Sequence, residues 1–381
     1  MAEAALTAHL RAAEDGDLAA FLAPVHGAEL RADQRAVFDR MQLIGLSDLR
    51  LGVVTETSHD ATGWSVHALA TYRIAGHDRT PRSFEFNANL RLSGAPRSRA
   101  TPPAAPRGVE VTAWQPAGRS QPWDLAGLVV RRTPDALVLA VGADRADQIA
   151  RLASTARRDV AAVWGSSVSA VWVAPQEDAT AGRVLGEDVG FLAGVAGVTD
   201  GPLEEGEPAG ADRIVVVPGA WDSLTEQGRR VVMTHELTHA SVRATTTRPV
   251  PLWLSEGFAE YVAYRTVDLD ESVVAGPALR RFAAEGLPTD LPVAADFTAG
   301  ADLAGAYAAS LLAARTLADT RGQADLVRVY SEVAAPGAAG GTAAALTDAD
   351  ARLDAVLVTT ASLTRAALVQ RWRARIAALL G

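Results

Sequence analysis

Two histidines stand four residues apart in the stretch VVMTHELTHA, residues 231–240, with His235 and His239 bracketing Glu236. On an α-helix that spacing puts both imidazoles on one face, one turn apart. Both rings can then reach a single metal ion at roughly 2.0–2.1 Å. Glu236, beside the first of them, can reach a water on that ion and act as a base. The other five histidines, His9, His26, His59, His67 and His77, fall within residues 9–77 and show no ligand spacing. They read as surface or core histidines. Val231, Val232 and Val242 flank the motif and imply a partly buried helix. Polar groups on such a helix need partners, because unpaired burial is costly.

A second stretch, PLWLSEGFAEYVAY at residues 251–264, carries two carboxylates four apart, Glu256 and Glu260. Pro251 sets up a turn into a helix, and the spacing puts both acids on one face of it. Trp253, Leu254, Phe258 and Tyr261 surround them, which argues for burial. A carboxylate from this helix would complete a His₂Glu metal set and leave a fourth position for water. Geometry alone allows either acid as the third ligand. The other would then accept a hydrogen bond from the outer nitrogen of a ligating histidine.

The rest of the chain must hold these two helices. With 381 residues, 49% of them apolar and 21% charged, it is long and apolar enough for two or three domains with a real core. The net charge of −9 gives no reason to expect nucleic acid or an anionic membrane as a partner. Cysteine is absent, so disulfides, thiolate ligands and a cysteine nucleophile are excluded. All cationic side chains are arginine, from which no function follows.

Residues 3–21 read as a helix, and helical signal continues over 28–41. Strand patterns follow at 49–57, 65–74, 83–92 and 109–114. The third alternates, with Phe84, Phe86, Ala88 and Leu90 on one face. The Pro-rich run 94–108 is expected as a long hairpin loop, with a domain boundary near 118–121. Beyond it, strands are expected at 128–132, 136–141, 169–174, 191–198 and 213–217, with a helix at 145–164. Helices are expected at 224–244, 253–265, 275–285, 302–320, 323–333 and 361–379, and an Ala/Gly-rich loop at 334–345. The expected class is α+β. Its two domains are 1–118 and 119–381, the second with a mixed-sheet lobe (about 119–222) and a helical lobe (about 223–381). By element order the first domain resembles NTF2-like or cystatin-like units.

HELTH followed by WLSEGFAEY resembles the gluzincin clan of zinc metallopeptidases. It looks closest to actinobacterial hypothetical proteins with such a domain behind a small α+β domain. The match is sharp over residues 213–264 and diffuse over 122–212 and 300–333. The resemblance implies one Zn²⁺ ion on His235, His239 and Glu256, with Glu236 as general base and Glu260 supporting a histidine. It implies a peptide or protein substrate. It also implies an edge strand that pairs with the substrate, for which 191–198 (Phe191, Ala193, Val195) is the candidate; an ordinary sheet strand is the alternative. A tyrosine that supports the oxyanion is implied too, and Tyr307 stands at the matching place. The chain departs from the clan in a shorter gap between His239 and Glu256. It also lacks a G-x-M-E-N segment, so aminopeptidase activity is not carried over.

A second reading is a zinc-bearing binding module whose activity is lost or very narrow. A zinc that only staples the fold is disfavoured, because such sites fill all four positions with Cys or His. The first domain is expected to bind a partner, restrict access or act as a spacer. No run of 18 apolar residues exists to span a membrane. The first residues lack the layout of a signal peptide. The location expected is extracytoplasmic or membrane-tethered, with a leader preceding these residues; the alternative is cytoplasmic.

Overall fold

The protein is described from a computed structural model covering residues 1–59, 63–92, 108–204, 206–298, 301–336 and 348–381. It is α+β, with an antiparallel four-stranded sheet, a mixed five-stranded sheet and helices.

The chain opens with α1 (Ala2–Glu14), α2 (Leu18–Leu22) and α3 (Ala28–Ile44). The single helix expected over 3–21 is broken. Gly16 takes a positive φ of 71° and Asp17 caps a new helix by accepting from Ala20 N. Four strands follow as an antiparallel meander: β1 (Leu46–His59), β2 (Gly63–Ile74), β3 (Arg82–Leu92) and β4 (Val109–Ala117). Phe84, Phe86, Ala88 and Leu90 are buried in alternation along β3. They pack with Leu6, Leu10, Phe21 and Phe38 of the three helices in one apolar cluster. Apart from Gly108, the loop expected at 94–108 lies outside the described residues.

The second sheet is built from β5 (Leu128–Arg132), β6 (Ala136–Val141), β7 (Ala170–Ala174), β8 (Gly197–Asp200) and β9 (Arg213–Val216). Its order is β5-β6-β7-β9-β8, with β6, β7 and β9 parallel and an antiparallel strand at each edge. Helix α4 (Ala143–Trp164) crosses from β6 to β7, and α5 (Asp178–Leu185) follows β7. Apart from Arg213, the residues of the three middle strands are apolar, because both faces are covered. Val138, Trp172 and Ile214 face the helical core, while Leu137, Val171 and Val215 join the cluster of the first sheet and its helices.

The strand expected at 191–198 is present only over its last two residues. Residues 189–192 form a 3₁₀ turn capped by Asp188, and Gly194 takes a positive φ of 79°. Strand β8 starts only at Gly197.

The remainder is helical: α6 (Pro218–Ser223), α7 (Glu226–Arg243), α8 (Leu252–Tyr264), α9 (Glu271–Val274), α10 (Gly276–Glu285), α11 (Leu303–Arg321), α12 (Gln323–Val333), α13 (Ala349–Ala361) and α14 (Arg365–Leu380). Helix α13 was not expected, and its end takes residue 361 from the helix expected at 361–379. Ser362 is left-handed there (φ 46°) and Thr364 caps α14. The loop expected at 334–345 lies outside the described residues beyond 336. Among the described residues no helix is long and apolar enough to cross a membrane.

Candidate metal centre

Helix α7 begins where Thr225 accepts from Gly228 N. Met233, Leu237 and Ala240 bury one face of it, and the histidines emerge beside that face. Helix α8 starts after Pro251 and is anchored by Trp253, Leu254 and Phe258. Gly257, next to Glu256, has a local reason. A Cβ there would lie 2.4 Å from Ser310 O, so glycine lets α11 approach α8 closely.

The packing brings three groups to one point. His235 Nε2 and His239 Nε2 are 3.1 Å apart. Glu256 Oε2 lies 3.2 Å from His239 Nε2 and 3.4 Å from His235 Nε2. Donors bound to a tetrahedral ion at roughly 2.0–2.1 Å lie about 3.3–3.4 Å from one another. The three separations fit that requirement, and the donors are of the type such an ion takes. His235, His239 and Glu256 therefore form a group that can hold a metal ion. Their side chains are largely buried, at 12%, 16% and 16% exposure.

Charge supports the same conclusion. Burial opposes a proton on His235, but Glu256 and Glu260 outweigh it and hold the imidazole well above its ordinary range. Burial would likewise raise Glu256, yet His239 and His235 keep its carboxylate well below the usual range. Two carboxylates around two imidazoles thus favour positive charge at this point. Glu260 Oε1 lies 3.0 Å from His235 Nδ1, the nitrogen facing away from the other ligands. The contact is off the line of a well-formed hydrogen bond.

Glu236 is buried beside the cluster and lines the same cavity of about 740 Å³. Its Oε2 accepts from Thr199 Oγ1 at 2.8 Å. Tyr307, on α11, borders the cavity with its ring 6.1 Å from that of His235. Burial first, then Glu256, Glu236 and Glu260, push its phenol well above the ordinary value, so it stays protonated. Of the three residues named for the substrate strand, only Val195 lines the cavity. Phe191 sits exposed in the 3₁₀ turn, and Ala193 follows it in the loop. The cavity edge is formed instead by Gly197, Val198 and Thr199 of β8.

The sequence reading passed over Thr199, Gly197 and Tyr330. Tyr330 on α12 forms part of the cavity wall. The signal for Gly197 is steric, since a Cβ there would lie 2.9 Å from Glu236 Cγ. His26, His59, His67 and His77 lie outside the cavity lining, and His9 is buried in the first unit. Compared with protein-family models and with curated protein sequences, the chain matches none.

Proposed function

We propose that the chain is a zinc-dependent peptidase of gluzincin type behind an NTF2-like unit. One observation carries this reading: His235, His239 and Glu256 converge at metal-ligand spacing while Glu236 and Tyr307 line the same cavity. A zinc ion on those three residues would supply Lewis acidity to a water and to the scissile carbonyl. Glu236 takes the proton of the attacking water and hands it to the leaving amine. Tyr307, protonated, donates to the developing oxyanion. Glu260 steadies His235 from its far nitrogen. Strand β8, at the edge of its sheet and beside Glu236, is where an extended peptide would add as a further strand.

The test is elemental analysis of the purified chain together with a peptide library read by mass spectrometry. The expected result is one zinc per chain and cleavage that a chelator abolishes. Glu236→Gln should retain the zinc and lose hydrolysis. A chain that takes up no zinc, or a fully active Gln variant, overturns the reading.

A further inference from the structure

Thr199 stands between the site and the first sheet. Its hydroxyl lies 2.8 Å from Glu236 Oε2 and 2.9 Å from Glu236 O. Gly197, two residues back on the same face of β8, packs against the stem of the same glutamate. Strand β8 therefore touches Glu236 twice, once by close packing and once by a hydroxyl whose single proton is shared between the carboxylate and the backbone carbonyl of that glutamate.

The residue after Thr199 is Asp200, which ends β8 opposite Arg213 of β9. Both are gripped from the first unit. Arg82 Nη2 of the first unit donates to Asp200 Oδ2 at 2.9 Å, and Arg119 Nη1, in the segment just after that unit, donates to Asp200 Oδ1 at 2.9 Å. Arg213 donates to Asp78 at 2.7 and 2.6 Å, and both side chains of that pair are buried. Asp78 lies in the turn from β2 to β3, and Arg82 opens β3. Two ion pairs from that one turn thus hold the final rung of the β8–β9 ladder. Arg79, from the same turn, donates to Ala209 O at 2.7 Å and to Ala244 O at 2.8 Å. Ala244 is the residue that ends α7, so the turn also grips the helix carrying the histidines.

We propose that Thr199 is a positioning residue for Glu236, and that the first unit sets where Thr199 sits through Arg82 and Asp78. The inference rests on Glu236 acting as the base. A glutamate has three side-chain torsions, and a base works only within hydrogen-bond reach of its proton. The Thr199 hydroxyl fixes one carboxylate oxygen, and the ion pairs fix the strand that carries the hydroxyl. The first unit is then part of the site's framework.

The experiment compares Thr199→Val, which keeps the shape but not the hydroxyl, with Thr199→Ser, which keeps the hydroxyl. Val should leave zinc content and KM unchanged and lower kcat about tenfold or more, the weight of a hydrogen bond to a charged group. Ser should restore most of it. In a Glu236→Gln background the Val change should have little further effect. Equal losses in Ser and Val, or a change confined to KM, overturn the proposal. A second measurement does not need turnover. Denaturant unfolding of Thr199→Val, Glu236→Ala and the double variant should be non-additive by about tenfold in the equilibrium constant. Should no chain hydrolyse peptide, the peptidase reading falls, and additive unfolding energies overturn the Thr199–Glu236 link. Arg82→Ala, with zinc still bound, should raise amide exchange across residues 197–200 at least tenfold. Unchanged exchange there overturns the role given to the first unit.

Discussion

Two buried histidines in this chain behave in opposite ways. His9, in the first unit, is 2% exposed and stacks on Phe21 with ring centroids 3.8 Å apart. Its Nε2 lies 3.3 Å from Gln34 Oε1. Burial pushes its pKa down to about 4, with Gln34 opposing only in part. His235, in the second unit, is also largely buried, yet Glu256 and Glu260 hold its pKa well above the ordinary range. Loss of water is common to both rings. The difference is the pair of carboxylates. Burial alone makes a neutral core histidine, and burial beside acids makes a place for a cation.

The strongest way to break this contrast is to remove a ligand. His239→Ala should abolish stoichiometric metal binding. A chelator should then lower the stability of the parent chain but not of the variant. At metal a thousandfold above its Kd, the parent stands to lose roughly 4 kcal/mol. Melting curves with and without chelator check this, and an equal shift in both chains would remove the metal from the comparison.

The next effect lies at His9. Its folded pKa of about 4 is below the unfolded value of 6.5, so the folded form binds fewer protons. Its contribution is complete above about pH 6.5 and shrinks as pH falls toward about 4. The drop is about 3 kcal/mol. Unfolding midpoints measured across that window should fall for the parent chain and fall less for His9→Phe.

A smaller effect is expected from Glu260→Gln. Removing the charge behind His235 should weaken metal affinity about ten- to a hundredfold without changing stoichiometry. Competition with a chelating dye measures it. The smallest change sharpens the contrast from the other side. Gln34→Glu would give His9 the carboxylate it lacks and should raise its pKa by at least about one unit. Proton NMR of the imidazole follows that titration, and an unmoved pKa would mean that charge is not what separates the two rings.

The legibility of the site in sequence follows the range of the interactions. The His235–His239 pair is set by one helical turn, so spacing alone exposes it. Glu256 needs only a turn and a returning helix, though spacing could not separate it from Glu260. The structure does: Glu256 faces the inner nitrogens and Glu260 the outer one. Tyr307 reaches the cavity because Gly257 lets α11 approach α8, a tertiary fact that no local pattern carries. The edge strand was expected six residues early because 191–198 is apolar enough for a strand. Asp188 and Gly194 divert that segment into a turn. Thr199 and Asp200 sit in VTDGP, which reads as a turn signal, and their partners are distant in sequence. Helix α13 was missed because its amphipathic pattern is shallow and it follows a run of alanine and glycine.

The Asp78–Arg213 pair has a consequence for how such a chain can change over generations. The two side chains are 1% and 3% exposed, and they come from opposite halves of the sequence. Losing one partner of such a pair costs about 3–5 kcal/mol, because the other charge stays sealed away from water. The face of β6, β7 and β9 that carries Leu137, Val171 and Val215 would be disturbed at the same time, since these residues share one apolar cluster with the first sheet and its helices. The halves cannot be recombined like beads on a string. A lineage that exchanged the first for another fold would have to replace a guanidinium's counter-charge and one wall of a sheet in a single step.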